Sequence, residues 1–244
     1  MSKQYTFDEF VKIIETLRSE NGCPWDKEQT HESLRVCMME EAAELLGAIR
    51  IYQKTGNAEN MQEELGDILL QAVMHSVIAS EEGLFTIDDV ISGISEKMIR
   101  RHPHVFANAD IHGNEALLQN WEEIKKQEKE GKSWITSPLR EIPAELPSLT
   151  RAVKVTKKLE KLPEYHDVQT GESKVPDEKE LGKELVAKAE EAQKLLDKTQ
   201  VDKEELSVQV TGLLRTICQL SYRAGLQPEQ LLFDEIESII EQNE

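Results

Sequence analysis

The sequence predicts an all-α protein built as a helical bundle. Three observations carry that prediction. Apolar residues recur at three- and four-residue spacing along most of the 244 residues, and no stretch alternates convincingly enough to read as a strand. Aromatic residues make up only 5% of a chain that is 39% apolar, which leaves the core to Leu, Ile, Val, Ala and Met, residues suited to packed helices. Thr6 with Glu9, and Thr86 with Asp89, place capping boxes at the heads of two apolar runs.

The elements follow in order. A first helix runs from Phe7 to about Ser19. Asn21-Gly22-Cys23-Pro24-Trp25-Asp26 then reads as a loop around a buried Trp25. A long helix spans about Thr30 to Lys54 and is broken at Thr55-Gly56-Asn57. The next runs from about Ala58 to Glu82, with Gly83 as its stop. A helix from Thr86 ends near Arg101, because Pro103 pushes the residue before it out of the helical region. Another covers about Glu115 to Lys129. Five of the eight prolines, from Pro138 to Pro176, then fall within 131–180, and that region reads as a connection containing a short helix, Leu149 to Leu159. Helices near 179–199, 203–224 and 228–242 close the chain. The domain reading is therefore 1–130, a connecting region 131–180, and 181–244.

Charge excludes some partners. Lys and Arg number 29 against 47 Asp and Glu, a net charge of −18. Such a chain has no general attraction for nucleic acid or an anionic membrane, so an anionic ligand must be met by a local device. Three cysteines without CxxC spacing argue against a disulfide framework. No apolar run approaches the roughly 20 residues that span a bilayer, and the first residues lack a signal core. The expectation is a cytoplasmic protein.

The chemistry concentrates in the first half. Glu41 and Glu44 stand three apart on one helix, Glu64 and Asp67 three apart on the next, so each pair shares a helix face. The short turn at 55–57 makes the helices antiparallel neighbours, and facing pairs would converge. The flanking Leu45, Leu46 and Ile49, and Leu65, Ile68 and Leu69, read as buried stripes. Carboxylates beside a core repel one another and lose hydration at several kcal/mol each, so they call for cations. All-oxygen ligation suits Mg²⁺, with Mn²⁺ as the alternative. The bland reading is a pair of solvated acidic faces. A di-iron site wants Glu-x-x-His pairs, and His75 does not lie three residues after any Glu.

Cations and aromatics offer the complement. Lys97 and Arg101 are one turn apart, and Lys125 follows Trp121 by one turn. The former pair suits a phosphate clamp, against a reading as surface ion pairs. Trp121 and Trp25 are candidates for stacking on a base, or for the core. His102 and His104 read as a helix C-cap before they read as metal ligands. Gly131-Lys132-Ser133 lacks the first glycine and the strand of a P-loop.

Taken together, Gly22-Cys23-Pro24-Trp25-Asp26-Lys27-Glu28-Gln29-Thr30, Glu41-x-x-Glu44, Glu63-Glu64-Leu65-Gly66-Asp67, Arg100-Arg101-His102-Pro103-His104-Val105-Phe106 and Asn120-Trp121-Glu122 resemble the MazG-type nucleoside triphosphate pyrophosphohydrolases of the all-α NTP pyrophosphatase superfamily. The resemblance covers about residues 6–130. It implies hydrolysis of an NTP to the NMP and pyrophosphate with Mg²⁺, by a metal-activated water that attacks the α-phosphorus. Glu41, Glu44, Glu64 and Asp67 would be the metal ligands on which catalysis depends. Lys97, Arg101 and Lys125 would meet the phosphates, with Trp121 near the nucleotide, and the family works as homodimers. The general base stays open among Glu40, Glu63 and a metal-bound carboxylate. Competing readings are a pyrophosphatase restricted to dNTPs such as dUTP, and a nucleotide-binding helical interaction protein with reduced turnover.

Family members carry tandem units, and the second half here resembles a degenerate copy. Glu190-Glu191-Ala192-Gln193-Lys194-Leu195-Leu196 echoes Glu40-Glu41-Ala42-Ala43-Glu44-Leu45-Leu46, with Lys194 where Glu44 stood. The counterpart of the second acidic pair is Leu206-x-x-Gln209 or Gln209-x-x-Gly212, neither of them acidic. The second unit is expected to bind no catalytic metal and to scaffold or dimerise.

Overall fold

The structure, a computed structural model, describes residues 3–107, 113–128, 131–132, 135–162, 165 and 176–243. Among the described residues it contains helices, one 3₁₀ turn and no strand, so the all-α expectation holds. A first compact unit, Met1–Glu128, holds α1 (Phe7–Arg18), α2 (Pro24–Glu28), α3 (Leu34–Thr55), α4 (Glu59–Glu81), α5 (Ile87–Arg101), α6 (Pro103–Phe106) and α7 (Asn114–Gln127). A second, Lys129–Glu244, holds the 3₁₀ turn Pro138–Glu141 and α8 (Ser148–Leu159), α9 (Glu178–Leu196), α10 (Lys203–Arg223) and α11 (Pro228–Glu241).

The expected starts of α1 and α5 are in place. Thr6 accepts from the Glu9 N–H at 3.2 Å while Glu9 accepts from the Thr6 N–H at 2.9 Å, and Thr86 with Asp89 does the same. Three details differ from the sequence reading. The stretch taken as a loop at 21–26 contains a helical turn, α2, which starts with Pro24 at its first position, where a missing N–H costs nothing. Pro103 likewise ends α5 and opens the one-turn α6. The long helix starts at Leu34, not Thr30, because Thr30 and Ser33 satisfy each other: each side-chain hydroxyl accepts the other's backbone N–H, at 3.0 and 3.1 Å.

The core of the first unit is Ile14, Leu34, Val73, Met74, Val77 and Ile78, with Phe10, Val11, Leu17, Cys37, Leu70 and Ile87 packed against it. Each such side chain contributes roughly 1.5–3 kcal/mol when fully buried. These residues bind α1, α3 and α4 into one layer. Of the stripes expected from sequence, Leu45, Ile49 and Ile68 are half-buried and the other three are exposed. Leu46 is 65% exposed and Leu65 50%, and Leu69 is exposed too. Apolar residues line two faces of α3 and α4, and the unit packs only one of them, using Leu34 and Ala48 on α3 and Val73, Met74 and Val77 on α4.

Arg18 fastens the 22–29 segment to this layer. Its buried guanidinium donates to Glu81 through Nε at 3.0 Å and Nη2 at 2.7 Å. Nη1 donates to the carbonyls of Asp26 at 2.6 Å and Gln29 at 3.0 Å. Gly22 makes the tight entry to that segment: a Cβ there would lie 2.2 Å from the Leu17 carbonyl oxygen, so no other residue fits.

In the second unit α9 and α10 pack along each other and bury Leu181, Ala192, Leu195, Thr216 and Cys218. α8 lies on α10 with Val153 and Thr156 buried, so the stretch read as a connection supplies a packed helix to this unit. Trp134 and most of 163–175 lie outside the described residues.

Arg18→Ala is expected to destabilise the first unit by about 2–4 kcal/mol, since it leaves two carbonyls and a carboxylate without their donor. Arg18→Lys, whose single ammonium cannot span the Glu81 carboxylate and both carbonyls as the guanidinium fork does, should recover less than half. Chemical denaturation followed by circular dichroism reads both. Arg18→Ala unfolding at the wild-type denaturant concentration would refute the hub.

Candidate metal centre

Local geometry brings the acids together. Gly56, at φ +73°, ends α3 in the left-handed region, with its N–H donating to the Tyr52 carbonyl at 2.8 Å. The chain reverses at once into α4, so the two long helices pack antiparallel. Glu41 from α3 then meets Glu64 and Asp67 from α4: one carboxylate oxygen from each lies within 4.8 Å of the others. Among the described residues this is the one such group of acid, His or Cys ligands.

Glu64 is 8% exposed and heads the set. Asn60, one turn earlier on α4, donates Nδ2–H to Glu64 Oε1 at 2.6 Å, which leaves the second oxygen for a cation. Sequence reasoning missed Asn60; the signal was its i,i+4 spacing to Glu64. Glu44 does not join the three. It is exposed on α3, although its charge still acts on Glu41.

The electrostatics are those of an unmet charge. Burial, then the charges of Asp67, Glu44, Glu64 and Glu40, push the Glu41 carboxyl above its usual range. Two unit charges at such a spacing repel by about 3–4 kcal/mol at an effective dielectric near 20. Oxygen ligands on one ion stand up to about 4–5 Å apart at bond lengths near 2.1–2.5 Å, so the carboxylates fit a shared hard divalent cation with little movement.

The cationic residues form a second cluster at the far end of α5. Arg101 donates through Nε to Glu128 Oε2 at 3.1 Å, and Arg100 through Nε to Glu128 Oε1 at 3.0 Å. The Arg101 guanidinium lies 5.2 Å from the Trp121 ring centre, and His102 meets the same ring edge-on at 5.0 Å. His102 Nδ1 also donates to the Met98 carbonyl at 2.7 Å, the capping role expected of it. The Arg101 hydrogen bond, then Arg100, hold the Glu128 carboxyl down at about 2 against the opposing pull of burial. Lys125 pairs with Glu122 at 3.8 Å, and Lys97, half-buried on α5, joins none of the described ion pairs. Trp25 is not the buried residue the sequence suggested. It is 62% exposed on α2, because Pro24 and Asp26 turn the backbone inward toward Arg18 and leave the indole outside.

His31 and His75 are another pair that sequence reasoning left unconnected. Their rings stack with centres 5.1 Å apart and Nδ1 atoms 2.8 Å apart, so one donates and the other accepts. Burial, then His31, lowers the His75 pKa. An open cleft of about 510 Å³ between α1, α4 and the start of α5 is lined by Lys12, Glu15, Arg18, Ser76 and Glu81, and by none of the predicted site residues.

In the second unit Lys194 donates to Glu191 at 3.2 Å. Lys194 is thus met by an acid one turn earlier on α9.

Fold and site together define an all-α protein with a carboxylate cage on an antiparallel helix pair. The domain model for the MazG nucleotide pyrophosphohydrolase domain matches residues 29–106. The nucleoside triphosphate pyrophosphohydrolase/pyrophosphatase MazG of Thermotoga maritima is 39% identical over 226 residues, 93% of this chain and 79% of its own length. The nucleoside triphosphate pyrophosphohydrolase of Escherichia coli K12 is 41% identical over 152 residues, 62% of this chain and 56% of its own. The uncharacterized protein YabN of Bacillus subtilis is 50% identical over 153 residues, 63% of this chain but 30% of its own. The chain belongs to the MazG family.

The pH sign follows from Glu41. A carboxyl whose pKa is raised on folding favours the folded state below its unfolded pKa, and that stabilisation is lost as pH rises through the folded value. Without divalent ions, Glu41→Gln should therefore raise the melting temperature at neutral pH by a few degrees. It should also shrink the rise that Mn²⁺ produces in the wild type. A melt that leaves both quantities unchanged would contradict the cage.

Proposed function

We propose that this chain hydrolyses nucleoside triphosphates to the monophosphate and pyrophosphate, using a divalent ion held by Glu41, Glu64 and Asp67, with Glu44 as the outer fourth acid. The observation that carries the reading is the convergence of the three carboxylates on one point beside a core, with no Lys or Arg among the described ion pairs of those acids. Mg²⁺ or Mn²⁺ is the cofactor the donor set fits. When bound, such an ion offsets phosphate charge and makes a coordinated water a better nucleophile.

The protein's own groups do the rest. Glu64, anchored by Asn60, holds the rigid corner of the cage. Asp67 and Glu41 close it from α4 and α3. Lys97 and Arg101, one turn apart on α5, meet the phosphates and receive the charge that develops on the departing pyrophosphate. Trp121, already against Arg101, and Lys125, one turn along α7, flank the nucleotide. Trp25, exposed on α2, is a second surface on which a base can stack. The alternative restriction to dNTPs uses the same cage and differs only in the sugar contact.

The chain acts as a homodimer in this reading. Leu46, Leu65 and Leu69 form apolar faces on the helices that carry the cage, and a second copy would cover them. The second unit is a degenerate copy of the first, without a metal site. The ion pair of Lys194 with Glu191 supports this.

Glu41→Gln and Asp67→Asn should each lower Mg²⁺-dependent pyrophosphate release by at least about a hundredfold. Separated products decide the reaction: NMP with pyrophosphate supports it, while NDP with phosphate overturns it. The double variant Glu41→Gln, Asp67→Asn should lose all tight Mn²⁺ binding in the full chain, and a surviving tight site would show that the second unit still binds metal. Leu65→Glu should shift the sedimentation mass from dimer to monomer; an unchanged dimer would place the interface elsewhere.

A further inference from the structure

The contacts of Glu128 are unusual for a helix strut. One carboxylate is shared by two guanidiniums adjacent in sequence. Arg100 reaches Oε1 through Nε at 3.0 Å and Nη2 at 2.6 Å, and Arg101 spans both oxygens through Nε at 3.3 and 3.1 Å. One arginine would satisfy one carboxylate; the second leaves the cluster with a net positive charge in a chain of −18. Trp121 supports the Arg101 guanidinium from one face, so that fork is held in place apart from its acid. The Glu128 side chain is 10% exposed, whereas Arg100 is 51% exposed, so the cluster opens to solvent on the Arg100 side.

Position adds to this. Glu128 follows α7 at its C-terminal end, with its N–H bonded to the Ile124 carbonyl at 2.9 Å. An acid there faces the negative end of the helix dipole, so the helix does nothing to hold the carboxylate in place. Rotation about its side-chain bonds is enough to release the arginines. What is left is two adjacent guanidinium forks, that of Arg101 backed by an aromatic ring, donors that suit phosphate oxygens at least as well as a carboxylate.

We propose that Glu128 is a built-in competitor for the polyphosphate: its carboxylate holds the Arg100–Arg101 pair while no nucleotide is bound, and phosphate oxygens replace it when one arrives. This rests on the reading of Arg101 as a phosphate contact and adds Arg100 to it. The exchange makes and breaks no covalent bond. It swaps one charged partner for another, so the arginines are never left without an anion. It also gives the leaving pyrophosphate a competitor that helps displace it.

The test is calorimetric titration of the full chain with inorganic pyrophosphate in the presence of Mg²⁺, beside steady-state NTP hydrolysis. Glu128→Gln should bind pyrophosphate about tenfold more tightly than wild type and show a correspondingly lower KM. Adding Arg100→Ala to it should remove most of the gain. Equal or weaker binding by Glu128→Gln, or no binding by either protein, would make Glu128 a strut between α5 and α7 and overturn the proposal. Should Glu128→Gln fail to fold, Glu128→Asp, which draws the carboxylate back by one methylene, decides the matter: tighter pyrophosphate binding supports competition, wild-type or weaker binding overturns it. Wild-type turnover scores the hydrolase reading separately, because the titration needs no chemistry.

Discussion

Three like charges held against one another by a packed helix pair are the constraint around which the first unit is arranged. The backbones that carry Glu41, Glu64 and Asp67 are held together because the same two helices carry Leu34, Val73, Met74 and Val77 into the core. Hydrophobic burial and electrostatic repulsion are thus set in opposition within one interface. Burial of several large side chains, each worth roughly 1.5–3 kcal/mol, is comparable to the roughly 10 kcal/mol of repulsion among three such charges, and the carboxylates stay together. Asn60 locks the most buried member, so the strain is kept in place instead of relaxing through a rotamer change.

The rest of the unit keeps that pair in position and places positive charge at a distance from it. Arg18 spends its whole guanidinium on structure, binding Glu81 and two carbonyls of the segment that opens with Gly22. Arg100 and Arg101 gather at the end of α5 instead, shared by Glu128, where His102 caps the helix and Pro103 starts the next turn. A chain of net −18 thus gathers three acids at one place in this unit and two arginines, an acid and an aromatic ring at another.

The second unit also contains a packed helix pair, and its acids have cationic partners. α9 and α10 pack along each other, but Lys194 meets Glu191, and Lys188 meets Glu184 at 3.2 Å, so acids find cations on their own helix. Glu184 also accepts from Thr216 at 3.3 Å.

Local rules, which depend only on residues within one helical turn, were legible in the sequence by itself. These are the all-α class, the capping boxes of α1 and α5, the break at Gly56, the stop at Pro103, and the three-residue spacing that puts each acidic pair on one helix face. Tertiary structure decided what depends on the rotation of one helix against another. Glu44 turns to solvent while Glu41 turns inward, the stripe of Leu46, Leu65 and Leu69 faces out, and Trp25 is exposed by an arginine that draws its neighbour's backbone inward. Arg101 meets Glu128 across 27 residues of chain. Periodicity says which residues share a face, but which face is buried, and against what, is settled only when the competing apolar faces pack and the charges choose partners.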